Sequence, residues 1–129
     1  GELEMILRLI AKYPKGILSV VSDSYSIVKV LTEYLPSIKD KILARDGKFV
    51  VRPDSPRFKG DTAADQILWI AQELEKTFGS TVNKKGYKVL NPKVGIIYGD
   101  GLSVAEIKEA IELLVASGWA ASTGPTTSC

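Results

Sequence analysis

The chain has 129 residues, 45% of them hydrophobic and 25% charged, which suits one globular domain with a modest core and excludes a disordered tail. A formal net charge of +2, with no run of like charges, points to neither nucleic acid nor a membrane surface as partner, and no apolar stretch reaches the ~18 residues of a membrane span. The one cysteine, Cys129, allows no internal disulfide, and the start lacks the zones of a signal peptide, so a cytoplasmic setting is expected.

Leu3, Ile6, Leu7 and Ile10 fall at helical spacing between Glu2 and Lys12, and Pro14 stops that helix. A first strand follows from Ile17 to Ser22. Ser24 can cap a helix through Ile27, Val28, Leu31 and Tyr34, which Pro36 is expected to end. Ser37 and Asp40 have capping-box spacing and predict a short helix to about Ala44. Lys48 to Arg52 is a second strand, with Pro53 at its end.

Two prolines, a glycine and several turn formers make Asp54 to Asp61 a loop. A helix then starts near Asp61 and runs through Ile67, Leu68, Ala71, Leu74 and Phe78 to a stop at Gly79. Thr81 to Val89 has the pattern of a small hairpin around Lys84 to Gly86, whose lysines, with Lys88, are expected to be solvated. Val94 to Tyr98 is the third strand. Ser103 and Glu106 form a capping box for a last helix through Ile107, Ile111, Leu114 and Val115 to Gly118. Trp69 and Trp119 stand outside any basic, aromatic-interleaved stretch and are expected in the core or an interface.

The order α-β-α-β-α-β-α predicts an α/β layer of parallel strands joined by right-handed crossovers. Three parallel strands leave two open edges, so residues 1–119 look like part of a larger domain. Residues 120–129 have no apolar period and are expected to be an irregular tail, frayed or disordered.

Each apolar run ends near an acid: Asp23 after the first, Asp54 after the second, Asp100 after the third. In parallel α/β folds ligands bind at the carboxyl ends of strands, so the three carboxylates are expected on one rim, in position to hold a divalent cation and ribose hydroxyls. Taken singly, Asp23-Ser24 fits a helix cap, Asp54 an Asx turn and Gly99-Asp100-Gly101 a tight turn. Their joint placement at three successive strand ends favours a site. Histidine is absent, which removes Ser-His-Asp and Cys-His pairs and imidazole metal sites, and leaves chemistry to carboxylates, Arg, Lys, Ser and Tyr.

Ser19-Val20-Val21-Ser22-Asp23-Ser24-Tyr25, Arg52-Pro53-Asp54-Ser55, Lys85-Gly86-Tyr87-Lys88-Val89-Leu90 and Gly99-Asp100-Gly101, in this order and spacing, resemble the nicotinamide phosphoribosyltransferase family. The resemblance covers about residues 1–119, a central part of a family enzyme. It implies an arc of an irregular, TIM-like α/β barrel of the type II phosphoribosyltransferase kind, and a homodimer with active sites at the subunit interface. It also implies a Mg²⁺-dependent pentosyltransferase reaction in NAD biosynthesis: nicotinamide and phosphoribosyl pyrophosphate give nicotinamide mononucleotide and pyrophosphate.

By that resemblance Ser19 lies beside the nicotinamide tunnel, Asp23 faces phosphoribosyl pyrophosphate and its Mg²⁺, and Arg52 sits at the base and sugar end. Asp54 holds ribose hydroxyls or the metal, and Gly99 and Asp100 meet the ribose. The chain departs from the family at Pro56 and the longer Arg57-Phe58-Lys59-Gly60 stretch, and again after Trp119, where the Gly-rich phosphate-binding turn is replaced by Ser122-Thr123-Gly124-Pro125-Thr126. A truncation or shifted reading frame after about Ala121 is the expectation there, and the chain alone is expected to be inactive. The alternatives are a nicotinate phosphoribosyltransferase fragment and a noncatalytic, self-associating α/β module.

Overall fold

The computed structural model describes residues 2–22, 26–53, 62–98, 103–123 and 126–127. Helix α1 (Glu2–Lys12) precedes strand β1 (Leu18–Ser22). A helical stretch then runs through α2 (Ser26–Lys29), a π-helical turn (Val30–Tyr34), α3 (Leu35–Ser37) and α4 (Lys39–Leu43) to β2 (Phe49–Pro53). Helix α5 (Ala63–Phe78) leads into the antiparallel hairpin β3 (Ser80–Val82) and β4 (Lys88–Leu90), and on to β5 (Val94–Tyr98). Helix α6 (Val104–Ala116), a 3₁₀ turn (Ala121–Thr123) and β6 (Thr126–Thr127) complete the order.

The main sheet is mixed in neither sense: β1, β2, β5 and β6 pair in that order, and every pair is parallel. Leu18 to Ser22 face Phe49 to Pro53 one for one, and Phe49, Val50 and Val51 face Val94, Gly95 and Ile96. Strand side chains alternate between faces. Leu18, Val20, Phe49, Val51, Val94 and Ile96 therefore share one face, and all six are buried in a single cluster with Ile6 of α1, Ile27 of α2, Ile42 of α4, Ile70 and Leu74 of α5, and Leu114 of α6. On the other face of β1, Ser19 and Val21 are exposed. The helices thus cover one side of the sheet and leave the second side of β1 open.

Two expectations fail at the second helix. Pro36 does not end it, and Ser37 is not an N-cap. The chain widens into a π turn, in which the Leu35 N–H donates to Val30 O, and Pro36 sits inside the first turn of α3. A proline ring clashes with the carbonyl four residues back and supplies no N–H, and a wider turn relieves both problems. The Ser37 hydroxyl donates back to Tyr34 O at 2.7 Å, and α4 is preceded by Ile38 with no side-chain cap.

The capping box expected for the last helix forms, and α5 has one that the sequence reading did not name. Thr62 Oγ1 accepts from the Asp65 N–H while the Asp65 carboxylate accepts from the Thr62 N–H, and Ser103 and Glu106 do the same for α6. Gly79, at φ +84°, follows α5 as its stop. The segment expected to be irregular carries order as well: Ala120 is buried, and Thr126 and Thr127 pair with Ile97 and Tyr98.

At the amino ends of β1 and β2, the buried Arg45 guanidinium donates to Tyr13 O, Lys15 O, Gly16 O and Lys48 O. Gly47 passes so close to Gly16 that a Cβ would lie 2.0 Å from Gly16 O. Only glycine fits that crossing.

Candidate functional site

The geometry of the site starts from the register. Because β1 and β2 are parallel and in step, they finish side by side at Ser22 and Pro53, and β5 finishes at the same edge with Tyr98. Neighbouring strands lie about 4.8 Å apart, so three consecutive connections leave one rim within a narrow arc. In the sequence Asp23 follows Ser22, Asp54 follows Pro53, and Gly99-Asp100 follow Tyr98. Asp23, Asp54, Gly99 and Asp100 themselves lie outside the described residues.

Ser19 and Arg52 are described, and they share a face. Ser19 is level with Val50 and Val21 is level with Arg52, so Ser19, Val21, Val50 and Arg52 all belong to the side of the sheet opposite the helices. Ser19 is exposed and Arg52 half-buried. One strand spacing and two residues of rise separate their Cα atoms by about 8 Å, short enough for one small ligand to touch both side chains. Among the described residues the Arg52 guanidinium has no carboxylate partner. A planar cation with five donors and a nearby hydroxyl can orient an aromatic ring or an oxygen-rich sugar.

Sequence reasoning missed one polar cluster. Lys88, expected among the solvated lysines, places its ammonium 3.3 Å from Glu75 Oε1 and 4.6 Å from the centre of the buried Trp119 ring. Ser80 Oγ donates to Glu75 Oε2 at 2.6 Å. The Ser80 hydroxyl and the Lys88 ammonium hold the Glu75 carboxyl below its ordinary value, against the opposing effect of burial. The Lys88 N–H donates to Gly118 O, and Lys88 O accepts from the Ala120 N–H, so the hairpin is tied to the segment that follows α6. Nothing in the sequence marks this meeting of Glu75, Lys88 and Trp119. Lys84 and Lys85, at the hairpin tip, are exposed as expected.

The Nicotinate phosphoribosyltransferase (NAPRTase) family matches residues 4–127. This chain belongs to that family. Proteins named nicotinamide phosphoribosyltransferase are similar to it across nearly its whole length. The one from Mycoplasma pneumoniae is 42% identical over 130 aligned positions, covering 95% of this chain and 29% of that protein. The one from Mycoplasma genitalium is 38% identical, covering 94% and 28%, and the one from Acinetobacter baylyi 37% identical, covering 95% and 27%. The chain thus spans under a third of the length of these relatives. The resemblance read from four short motifs is borne out, and the family match continues to residue 127, beyond the expected break near Ala121.

Proposed function

We propose that this chain carries part of the substrate site of a nicotinamide phosphoribosyltransferase, a pentosyltransferase that moves phosphoribosyl from phosphoribosyl pyrophosphate to nicotinamide. The observation that carries the reading is the in-step parallel ending of β1 and β2, with β5 alongside, directly before the three acids. The names of the similar proteins support the choice of nicotinamide. The sheet is then an arc of an irregular α/β barrel whose interior is the helix-free face, and closing that barrel calls for association with further chain or with a second copy.

In this reading Arg52 and Ser19 line the base end of the site, and Asp54, Gly99 and Asp100 fix the ribose through its hydroxyls. As pyrophosphate departs, positive charge grows at the ribose carbon, and carboxylates held in place beforehand stabilise it without reorganising. Asp23 and Asp54 supply hard oxygen donors that fit Mg²⁺, which when bound would offset the charge of the leaving pyrophosphate. No histidine is needed. Bringing the reactants together supplies much of the rate, and that depends on the barrel walls as well as on these residues.

Calorimetric titration of the chain with phosphoribosyl pyrophosphate, with and without Mg²⁺, tests this. The expected result is weak, Mg²⁺-dependent binding that Asp54→Ala removes, with no mononucleotide formed. Absence of Mg²⁺-dependent heat, or binding unchanged in Asp54→Ala, refutes the site and favours a noncatalytic module. Turnover that Asp54→Ala abolishes would show instead that copies of this chain complete the site together.

A further inference from the structure

The meeting of Glu75, Lys88 and Trp119 joins pieces of the chain that the main sheet leaves apart. Glu75 stands in the last turn of α5, Lys88 opens β4, and Trp119 follows the end of α6. The Glu75 carboxylate accepts from the Ser80 hydroxyl on β3 and from the Lys88 ammonium on β4, so it pins both hairpin strands to the helix before them. Lys88 carries the link further. Its backbone forms a parallel bridge with Trp119, in which the Lys88 N–H donates to Gly118 O and Lys88 O accepts from the Ala120 N–H, each at 2.8 Å. Its ammonium stands 4.6 Å from the centre of the Trp119 ring, the aromatic face that attracts a cation most strongly, and that ring is part of the core.

The bridge bears on the path of the chain after α6. Ala120 is buried at the bridge, the Thr123 N–H donates to Ala120 O, and Thr126 and Thr127 then pair with Ile97 and Tyr98. Strands usually run about 3–10 residues, and one of two residues makes too few ladder bonds to hold its own place. The position of β6 therefore depends on what anchors the chain just before it. β6 in turn flanks Ile97 and Tyr98, the last two residues of β5, and Gly99-Asp100 follow them in the sequence.

We propose that Lys88 is a positioning residue: clamped by Glu75 and seated over Trp119, its ammonium fixes the exit of α6 and so sets β6 beside the end of β5. A cation is required, because its surroundings are an anion and a π face, and a neutral side chain of the same length satisfies neither. The bearing of this clasp on substrate binding rests on the phosphoribosyltransferase reading, whereas the clasp itself rests on contacts that use none of Ser19, Arg52 or the three acids.

The test compares the ¹³C,¹⁵N-labelled chain with Lys88→Met by NMR, without substrate, so its outcome is separate from that of the phosphoribosyltransferase reading. Methionine keeps an unbranched stem and removes the charge. In the native chain, cross-strand NOEs between Ile97–Tyr98 and Thr126–Thr127 are expected, with amide order parameters of about 0.85 at Ala120 and Thr123. In Lys88→Met those NOEs should vanish and the order parameters at Ala120, Thr123, Thr126 and Thr127 should fall below about 0.6, while Val20, Val51 and Ile70 keep their native values. Lys88→Arg, which also offers a cation to Glu75 and the ring, should restore both signals. Glu75→Gln leaves the lysine in place but unclamped. It should weaken the same NOEs, and it carries the test should Lys88→Met fail to fold. Native NOEs and order parameters in Lys88→Met, or their absence from the native chain, overturn the proposal. A loss of order spread equally over the core strands, or Lys88→Arg behaving as Lys88→Met does, overturns it too.

Discussion

Replacing Arg45 with methionine keeps much of the side chain's length and apolar stem while removing the guanidinium. In the native chain Arg45 is 4% exposed and donates through Nε at 3.1 Å and Nη2 at 2.7 Å to Tyr13 O, with further bonds to Lys15 O, Gly16 O and Lys48 O. Not all of these count equally. Gly16 O still accepts from the Lys48 N–H, and Lys48 O from the Leu18 N–H, so both keep a partner in the variant. The bond to Lys15 O, at 3.4 Å, is weak. The main loss is the pair of bonds to Tyr13 O, and at about 1.5 kcal/mol for each bond to a charged donor the cost is about 3 kcal/mol. For a total stability on the order of 5–15 kcal/mol this is a large fraction. With a urea m-value of about 2 kcal/mol/M, the unfolding midpoint should fall by about 1.5 M. Arg45→Lys, which offers one ammonium where the guanidinium offers a fork, should recover no more than about half. A midpoint within about 0.3 M of the wild type would mean that water replaces the guanidinium at these carbonyls, and the clamp would have no energetic weight.

Two further outcomes follow from local chemistry. Ser103→Ala removes the hydroxyl that accepts from the Glu106 N–H and should cost about 1 kcal/mol in thermal or urea unfolding, whereas Ser103→Asp should keep most of it. A cost below a few tenths of a kcal/mol would show that α6 is held by packing alone. Glu75 is held in its charged form by Ser80 and Lys88, so its contribution is fully present above the ordinary value of 4.5 and disappears as the pH falls through its lower folded value. Because Glu75 and Lys88 stay 29% and 36% exposed, the effect is at most about 1 kcal/mol. Unfolding measured from pH 6 to pH 3 should therefore show a shallower acid loss in Glu75→Gln than in the wild type, and parallel curves would contradict the assignment.

The parts of the fold legible in the sequence are those set by neighbours along the chain. Short β-branched apolar runs gave β1, β2 and β5 within a residue or so, and Ser103 with Glu106 placed the start of α6 by reciprocal bonds spanning only three residues. Pro36 misled because a proline stop assumes regular α-helical bonding, and a π turn, held in place by the burial of Val30, Leu31 and Leu35, changes which carbonyl the ring must avoid. The short β6 has no period to detect, since two threonines count as a strand only once β5 is beside them. Lys88 was misplaced for a similar reason: Glu75 and Trp119 reach it from 13 residues before and 31 residues after, and no local rule links them.

The candidate site has the same division. Ser19 and Arg52 could be named from their motifs, but their parity follows only from the pairing of Val21 with Arg52. A slip of one residue between β1 and β2 would send Arg52 to the face of Leu18 and Val20, into the helix-covered core, where an unpaired guanidinium would be costly. The observed register avoids this and leaves Phe49 and Val51 beneath the helices. Burial of Phe49 and Val51 therefore selects the pairing, and the pairing in turn puts Arg52 beside Ser19 on the open face and ends β1 and β2 together at Ser22 and Pro53. The arrangement of the proposed site is in this sense a consequence of the core: two apolar residues on β2 decide which way its arginine faces and at which edge of the sheet the strand ends.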